Sequence, residues 1–205
     1  NTIVLLRYSN IFKFDKPKFL NSFFFYKFFF WVIDRVNLDR GLHFTSDSHG
    51  LIEEYSLLTD RLIHILPIPH TPPQRNDMSR FRTKTCCHFA YLGNARDEKG
   101  FELLPEAIKR CLAEVSLSNV HFTIQSKSAE SADPCIKKAK QELAALDDKA
   151  VTIIEETLST EDYYSLMQQA DAILIPYRYY WYHARTSGIF SEALSLGKSF
   201  VMTKG

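Results

Sequence analysis

The chain has 205 residues, of which 45% are hydrophobic and 24% charged, and its formal net charge is +1. That length accommodates one large domain or two smaller ones around a substantial core, and the composition is that of an ordinary globular protein. Charge so close to balance excludes a whole-chain field drawing the protein to nucleic acid or to a membrane surface, so any anion site must be local. Cys86, Cys87, Cys111 and Cys135 form no C-x-x-C pair and match neither a zinc site nor a compact disulfide framework. Reduced, mostly buried thiols of a cytoplasmic protein are expected.

The chain opens on TIVLL, a strand by its apolar run, followed by the aromatic segment FLNSFFFYKFFFWVI at 19–33. This run is shorter than the roughly 20 apolar residues of a bilayer span, and Asn21, Ser22 and Lys27 interrupt it. No small-residue cleavage site follows, which argues against a signal peptide. Its apolar residues surround the helix instead of forming one stripe, so a buried helix that has lost its neighbouring domain is expected; peripheral insertion into a membrane face is the alternative. LHFTSDS (42–48) reads as a buried strand, GLIEEYSLL as a short helix, and RLIHILPIP (61–69) as a strand closed by Pro67 and Pro69. Residues 67–85 hold four prolines and then QRNDMSRFRTKT, which marks a linker. The expected division is a partial first domain at 1–70, a linker at 71–85 and a second domain at 86–205.

After the linker the pattern alternates. CHFAYL (87–92) is a strand ending at Gly93, and 100–113 is a helix with Phe101, Leu104, Ile108 and Leu112 at helical spacing. VHFTIQ (120–125) is a strand; Pro134 opens a helix behind Asp133, with Ile136, Leu143 and Leu146 inward. VTIIEE is a strand, and Ser159 with Asp162 caps a helix carrying Tyr163, Leu166 and Met167. DAILIP (171–176) is a strand, Thr186 to Leu196 a helix ended by Gly197, and SFVMT a last strand. Such alternation predicts an α/β fold: a Rossmann-like parallel sheet with helices on both faces. Ligands of such sheets bind at the carboxyl ends of the strands, which singles out the loops 93–99, 155–160 and 176–187.

Two of these loops carry chemistry. GNARDEKG (93–100) places Gly93 at a tight turn and Arg96 and Lys99 beside a helix start, a combination suited to a diphosphate. Asp97 and Glu98 stand between the cations, and a solvated loop of mixed charge is the plainer reading. In PYRYYWYHARTSGIFSEALSLGK (176–198), Thr186, Ser187 and Gly188 stand at a helix start whose N–H groups and dipole favour an anion. Glu192, four residues beyond Gly188, shares its face and could accept two ribose hydroxyl protons. The plainer reading makes Thr186 an N-cap and Glu192 a surface acid complementing the dipole. Tyr177, Tyr179, Tyr180, Trp181 and Tyr182 could stack on a sugar or pack against the other domain. His183 could touch a ligand or be structural. The seven histidines show no ligand spacing and there is no D-x-D, so no metal is expected.

The order LPIP, YLGNARDEKGF, DAILIPY and TSGIFSEALSLGK resembles the donor domain of retaining GT-B glycosyltransferases (the group 1 glycosyl transferases), over roughly residues 42 to 205. HFTSDS with its helix and LPIP looks like the last strand of the acceptor domain and the interdomain crossing. The resemblance implies a metal-independent sugar transferase without a cofactor. Its donor would be a nucleoside diphosphate sugar and its acceptor a glycan or lipid-linked molecule, as in polysaccharide biosynthesis. It assigns Arg96, Lys99 and Glu192 to catalysis. Gly93, Asn94, Glu156, Leu158, Arg185, Thr186, Ser187 and Gly188 would contact donor or nucleotide. Asn94 occupies the place where the family often has arginine, and Ala184 the place of the family's first glutamate. The first part is about half the size of a usual acceptor domain, and the expected alternative is a truncated or non-catalytic relative that binds nucleotide only. A Rossmann dehydrogenase is disfavoured because no G-x-G-x-x-G follows any strand.

Overall fold

A computed structural model of the chain describes residues 2–7, 18–36, 41–69, 86–114, 119–128, 133–147 and 149–204, with side chains of the first helix from Phe24 onward. The expected linker at 71–85 lies outside the described residues. Contacts group the described residues into two compact units. One holds the residues up to Pro69 together with Tyr180–Thr186; the other holds those from Cys86 to Tyr179 and from Ser187 onward.

The first unit runs β1 (Thr2–Leu6), α1 (Lys18–Arg35), β2 (Leu42–Ser46), α2 (His49–Ser56) and β3 (Ile63–Ile65), its strands forming a parallel sheet in that order. β3 is much shorter than the expected 61–69. Pro67 and Pro69 have no N–H to give the ladder, and the last ladder-like bond is Leu66 N–H to the Ser46 carbonyl at 2.7 Å. The core joins Phe30 and Ile33 of α1 to Phe44, Leu51, Tyr55 and Ala184. The Phe30 ring lies 5.2 Å from Phe44 and 6.3 Å from Tyr55.

α1 is buried along one face. Phe30 and Ile33 are buried, while Phe24, Phe25, Phe28, Phe29 and Trp31 are exposed. A three-stranded sheet and one short helix give α1 a single apolar face to meet, and the outer aromatics shelter one another. Phe28 stacks on Trp31 at 5.8 Å, and the Arg35 guanidinium lies 5.1 Å over the Trp31 ring. Among the described residues no helix is long and apolar enough to cross a membrane.

The second unit runs β4 (Cys87–Tyr91), α3 (Leu104–Glu114), β5 (Val120–Gln125), α4 (Pro134–Ala144), β6 (Val151–Ile154), α5 (Thr160–Gln169), β7 (Ala172–Ile175), α6 (Tyr179–Tyr182), α7 (Gly188–Ser195) and β8 (Ser199–Met202). The last three residues of α6 group with the first unit. The strands form one parallel sheet in the order β6-β5-β4-β7-β8, the neighbours that the alternating sequence pattern predicts. Strand order reverses between β4 and β7. That is the switch point of an open α/β sheet, where outgoing loops diverge and leave a crevice. Phe101, Ile108, Ile124, Ile136 and Leu143 are all buried to 2% exposure or less, and each such burial stabilises the fold by about 1.5–3 kcal/mol.

Capping follows the sequence. The Asp133 carboxylate accepts from Cys135 N–H at 2.8 Å with Pro134 in the first turn, and Ser159 Oγ accepts from Asp162 N–H at 3.0 Å. α7 differs from expectation, beginning at Gly188 and not at Thr186. Ser187 is extended, at φ −112° and ψ 121°, and its hydroxyl accepts from Phe190 N–H, so it takes the N-cap role. The cysteines are free, as expected, but not mostly buried: Cys87 and Cys135 are exposed, Cys86 and Cys111 half-buried. The Asp133 carboxylate beside Cys135 raises its thiol pKa, which keeps it a poor nucleophile.

The expected helix over 100–113 is preceded and broken by two 3-10 turns, Asp97–Lys99 and Phe101–Leu103, because Gly100 between them is left-handed at φ 65°. A Cβ on Gly100 would stand 1.9 Å from the carbonyl oxygen of Pro176. Gly100→Ala therefore combines an unfavourable backbone region with a clash against main chain that cannot rotate away. The expected cost is about 2–4 kcal/mol, read as a lower urea midpoint with an unchanged slope.

Candidate functional site

The loop after β4 is shaped by a glycine and a glutamine. Gly93 has φ 103°, and its N–H donates to Gln125 Oε1 at 2.6 Å. The same amide donates through Nε2 to the Glu156 carbonyl at 3.5 Å. Gln125 is only 6% exposed at the end of β5, so one buried side chain spans the loops after β4 and β6. A Cβ on Gly93 would lie 2.8 Å from Lys99 Nζ and 3.0 Å from Ile189 Cδ1. The Lys99 ammonium thus sits in the space a side chain at 93 would fill, beside the first turn of α7. It lies 5.8 Å from the ring centroid of the buried Tyr177.

The charges in this loop are sorted by a residue that no sequence motif marks. Arg178, after β7, meets Asp97 Oδ1 at 3.2 Å and Glu102 Oε1 at 2.6 Å, and its N–H donates to the Glu98 carbonyl at 3.2 Å. Two acids are thereby engaged away from Lys99. Arg96 is turned outward: its guanidinium is 56% exposed and lies 3.5 Å from Glu98 Oε1. Of the two expected cations, Lys99 is brought against Gly93 and α7, while Arg96 is spent on a surface pair. Asn94 is exposed, and its carbonyl accepts from Tyr91 Oη at 3.3 Å.

At α7 the Ser187 cap serves Phe190, and the earlier N–H groups of the turn, at Gly188 and Ile189, are those a helix cannot satisfy internally. An added Cβ at Gly188 would meet nothing within 4 Å, so the helix start is open to close approach. Ser187 Oγ donates to Tyr177 Oη at 3.4 Å. Glu192, on the same helix face as Gly188, is half-buried and accepts from Tyr163 Oη of α5 at 2.5 Å. Burial, then the adjoining Glu192 carboxylate, hold the Tyr163 hydroxyl protonated far above the ordinary tyrosine range. Desolvation and Glu192 also raise Tyr164. Glu156 is exposed and Leu158 half-buried in the loop after β6.

Arg185 and Thr186 belong to the first unit. Thr186 Oγ1 donates to Asp47 Oδ2 at 2.7 Å, which also meets Arg7 Nε at 3.2 Å; Arg185 lies 4.9 Å over the Tyr182 ring. His183 Nε2 is 2.7 Å from Glu54 Oε1, and Ala184 is buried, its Cβ 3.1 Å from where a Cβ on Gly50 would stand. These contacts explain why the helix starts late: residues 183–186 are committed to the first unit. An apolar cavity of about 410 Å³ lies between α3 and the sheet, lined by Phe89, Phe122, Leu174, Ile108 and Cys111 among others. It offers no charge to a diphosphate. Among the described residues no group of three or more His, Cys, Asp or Glu side chains could hold a metal.

Sequence reasoning missed Gln125, Tyr163, Tyr177 as the floor beneath Lys99, and Arg178. A polar residue closing an apolar strand is a usable signal for Gln125; the others depend on which helices and loops become neighbours.

No family model and no curated protein sequence matches the chain. Solved structures do. One is described as TarM, at 13% identity and a TM-score of 0.62, covering 98% of this chain and 36% of that one. Another, apo OtsA, gives 12% and 0.60, covering 98% and 52%. A third, from E. coli and described as trehalose-6-phosphate bound with UDP-2-fluoro glucose, gives 10% and 0.55, covering 78% and 45%. The chain spans about a third to a half of the length of these structures. Its fold is that of the GT-B glycosyltransferases.

Proposed function

We propose that the second unit binds a nucleoside diphosphate sugar and serves a glycosyl transfer that retains the anomeric configuration, to a glycan or lipid-linked acceptor. The observation that carries this reading is the convergence of Lys99, Gly93 and the open start of α7 at the sheet's switch point. A diphosphate laid there meets an ammonium and a helix N-terminus, both fixed before it arrives. When the bond between the sugar's C1 and the β-phosphate oxygen breaks, charge grows on the diphosphate. Donors already in place stabilise that charge more than the ground state, which is the condition for catalysis. Glu192 holds the ribose, and the loop of Glu156 and Leu158 faces the base. Arg96, Asn94, Arg185 and Thr186 are secondary in this reading: Arg96 and Asn94 are exposed, and Arg185 and Thr186 make their contacts within the first unit. No metal or cofactor is required for the leaving-group chemistry described.

A second reading, a partner that binds nucleotide without transfer, is favoured by Ala184. The position the family resemblance assigns to a sugar-binding glutamate is a small side chain inside the first unit's core. Release of free nucleoside diphosphate from a panel of nucleotide sugars separates the two. Turnover supports the first reading, and binding without release identifies the second.

Lys99→Ala should weaken nucleoside diphosphate binding by about 1–3 kcal/mol, the range of a charge-assisted hydrogen bond. Equal affinity of variant and parent in calorimetric titration would remove Lys99 from the site. Binding should also persist in EDTA; loss in chelator, restored by magnesium or manganese, contradicts the leaving-group chemistry proposed.

A further inference from the structure

We infer that Tyr163 is the positioning residue of this site, fixing the Glu192 carboxylate so that it presents its acceptor oxygens to a ribose diol. The inference rests on the nucleotide-binding reading above and names the residue that makes the ribose contact selective. The Tyr163 hydroxyl donates to Glu192 Oε2 at 2.5 Å across α5 and α7, the length of a hydrogen bond to an ionised oxygen. A half-exposed glutamate otherwise samples several rotamers, and two vicinal hydroxyls need two oxygens at fixed positions.

A phenol suits the task because it orients without neutralising. Lysine or arginine in its place would offer a competing cation to the diphosphate and would reduce the charge with which the carboxylate accepts hydroxyl protons. Tyr163, kept protonated by burial and by Glu192 itself, stays a donor across the pH range in which proteins are folded. Its bond takes one lone-pair direction of Oε2, and a carboxylate has about four such sites, so the diol's two protons still find acceptors. Tyr164, the next residue, is half-buried as Tyr163 is, and its hydroxyl is also raised by desolvation and by Glu192. Tyr163, which makes the 2.5 Å bond to Oε2, is the one that can act as a fixed support.

The test uses the 205-residue chain, the variants Tyr163→Phe, Glu192→Gln and their combination, and calorimetric titration. The probes are uridine, guanosine, adenosine and cytidine diphosphates; the tightest is then compared with its 2′,3′-dideoxy counterpart. The readout is the ratio of ribo to dideoxy affinity, taken within one preparation, so that a reduced folded fraction cancels. The parent should prefer the ribonucleotide. Glu192→Gln should cut that preference about 10–150-fold, as for a hydrogen bond to a charged group. Tyr163→Phe should cut it about 3–10-fold while leaving dideoxy affinity unchanged, a fraction of the Glu192 effect because the carboxylate stays and only its fixed position is lost. The double variant should be no worse than Glu192→Gln alone, because the phenol acts only through the carboxylate. An unchanged ratio in Tyr163→Phe beside a reduced one in Glu192→Gln overturns the positioning role and leaves the ribose assignment standing. An unchanged ratio in Glu192→Gln, or a parent that binds none of the four nucleotides, overturns both.

Discussion

The candidate site depends on one close approach of backbone to backbone. Gly100 lies so near the Pro176 carbonyl that no other residue fits without moving main chain. β4 and β7 are neighbours at the switch point, so their outgoing loops would diverge if nothing held them. The glycine contact brings the loop after β4 against the segment after β7, and Arg178 ties the same two pieces through Asp97, Glu102 and the Glu98 carbonyl. The positive φ of Gly100 also separates the two short turns that carry Lys99 on one side and Phe101 on the other. Phe101 enters the core and Lys99 turns toward Gly93. One torsion thus couples the packing of the unit to the placing of its ammonium.

A second constraint acts from the opposite strand. Gln125 satisfies the Gly93 N–H and meets the Glu156 carbonyl from a nearly closed position. Buried backbone donors need partners, and here one side-chain amide serves loops leaving β4 and β6. The loop geometry is therefore set by buried groups, and the outward charges of Arg96 and Glu98 contribute little, as exposed pairs do. This division explains why Lys99, the more enclosed cation, is the better candidate to meet a ligand.

The parallel sheet was legible because each strand is a short apolar run between helical periods, and because Asp133, Pro134, Ser159 and Gly197 punctuate the helices as their chemistry requires. The helix start near Gly188 and the tight turn at Gly93 were legible because such features have meaning before packing is known. The start of α7 was misplaced because Thr186 and Ser187 are equally good caps locally; only the bond from Thr186 to Asp47, a residue 139 positions away, decides between them. α1 obeys the same limit: burial needs partners, and this unit offers one face to a run of fifteen mostly aromatic residues. Arg178 could not be found at all, because its acids lie 76 positions away in the chain for Glu102 and further for Asp97.

The proposed site would ask little of composition. A diphosphate held by N–H groups at a helix start is recognised mainly by main chain, which any sequence supplies if it folds correctly. Side chains enter at a few places: absent ones at Gly93 and Gly188, a single ammonium at Lys99, a carboxylate at Glu192. The sequence is otherwise free to vary wherever it keeps the strand period and the caps. Such a site constrains geometry far more than composition, so its signature is the position of glycines relative to strand ends. The selective element must then be the carboxylate and whatever fixes it, because backbone donors bind any phosphate alike. The proposal gives that part to Glu192 with the Tyr163 phenol behind it, two side chains on two helices with no sequence pattern to link them.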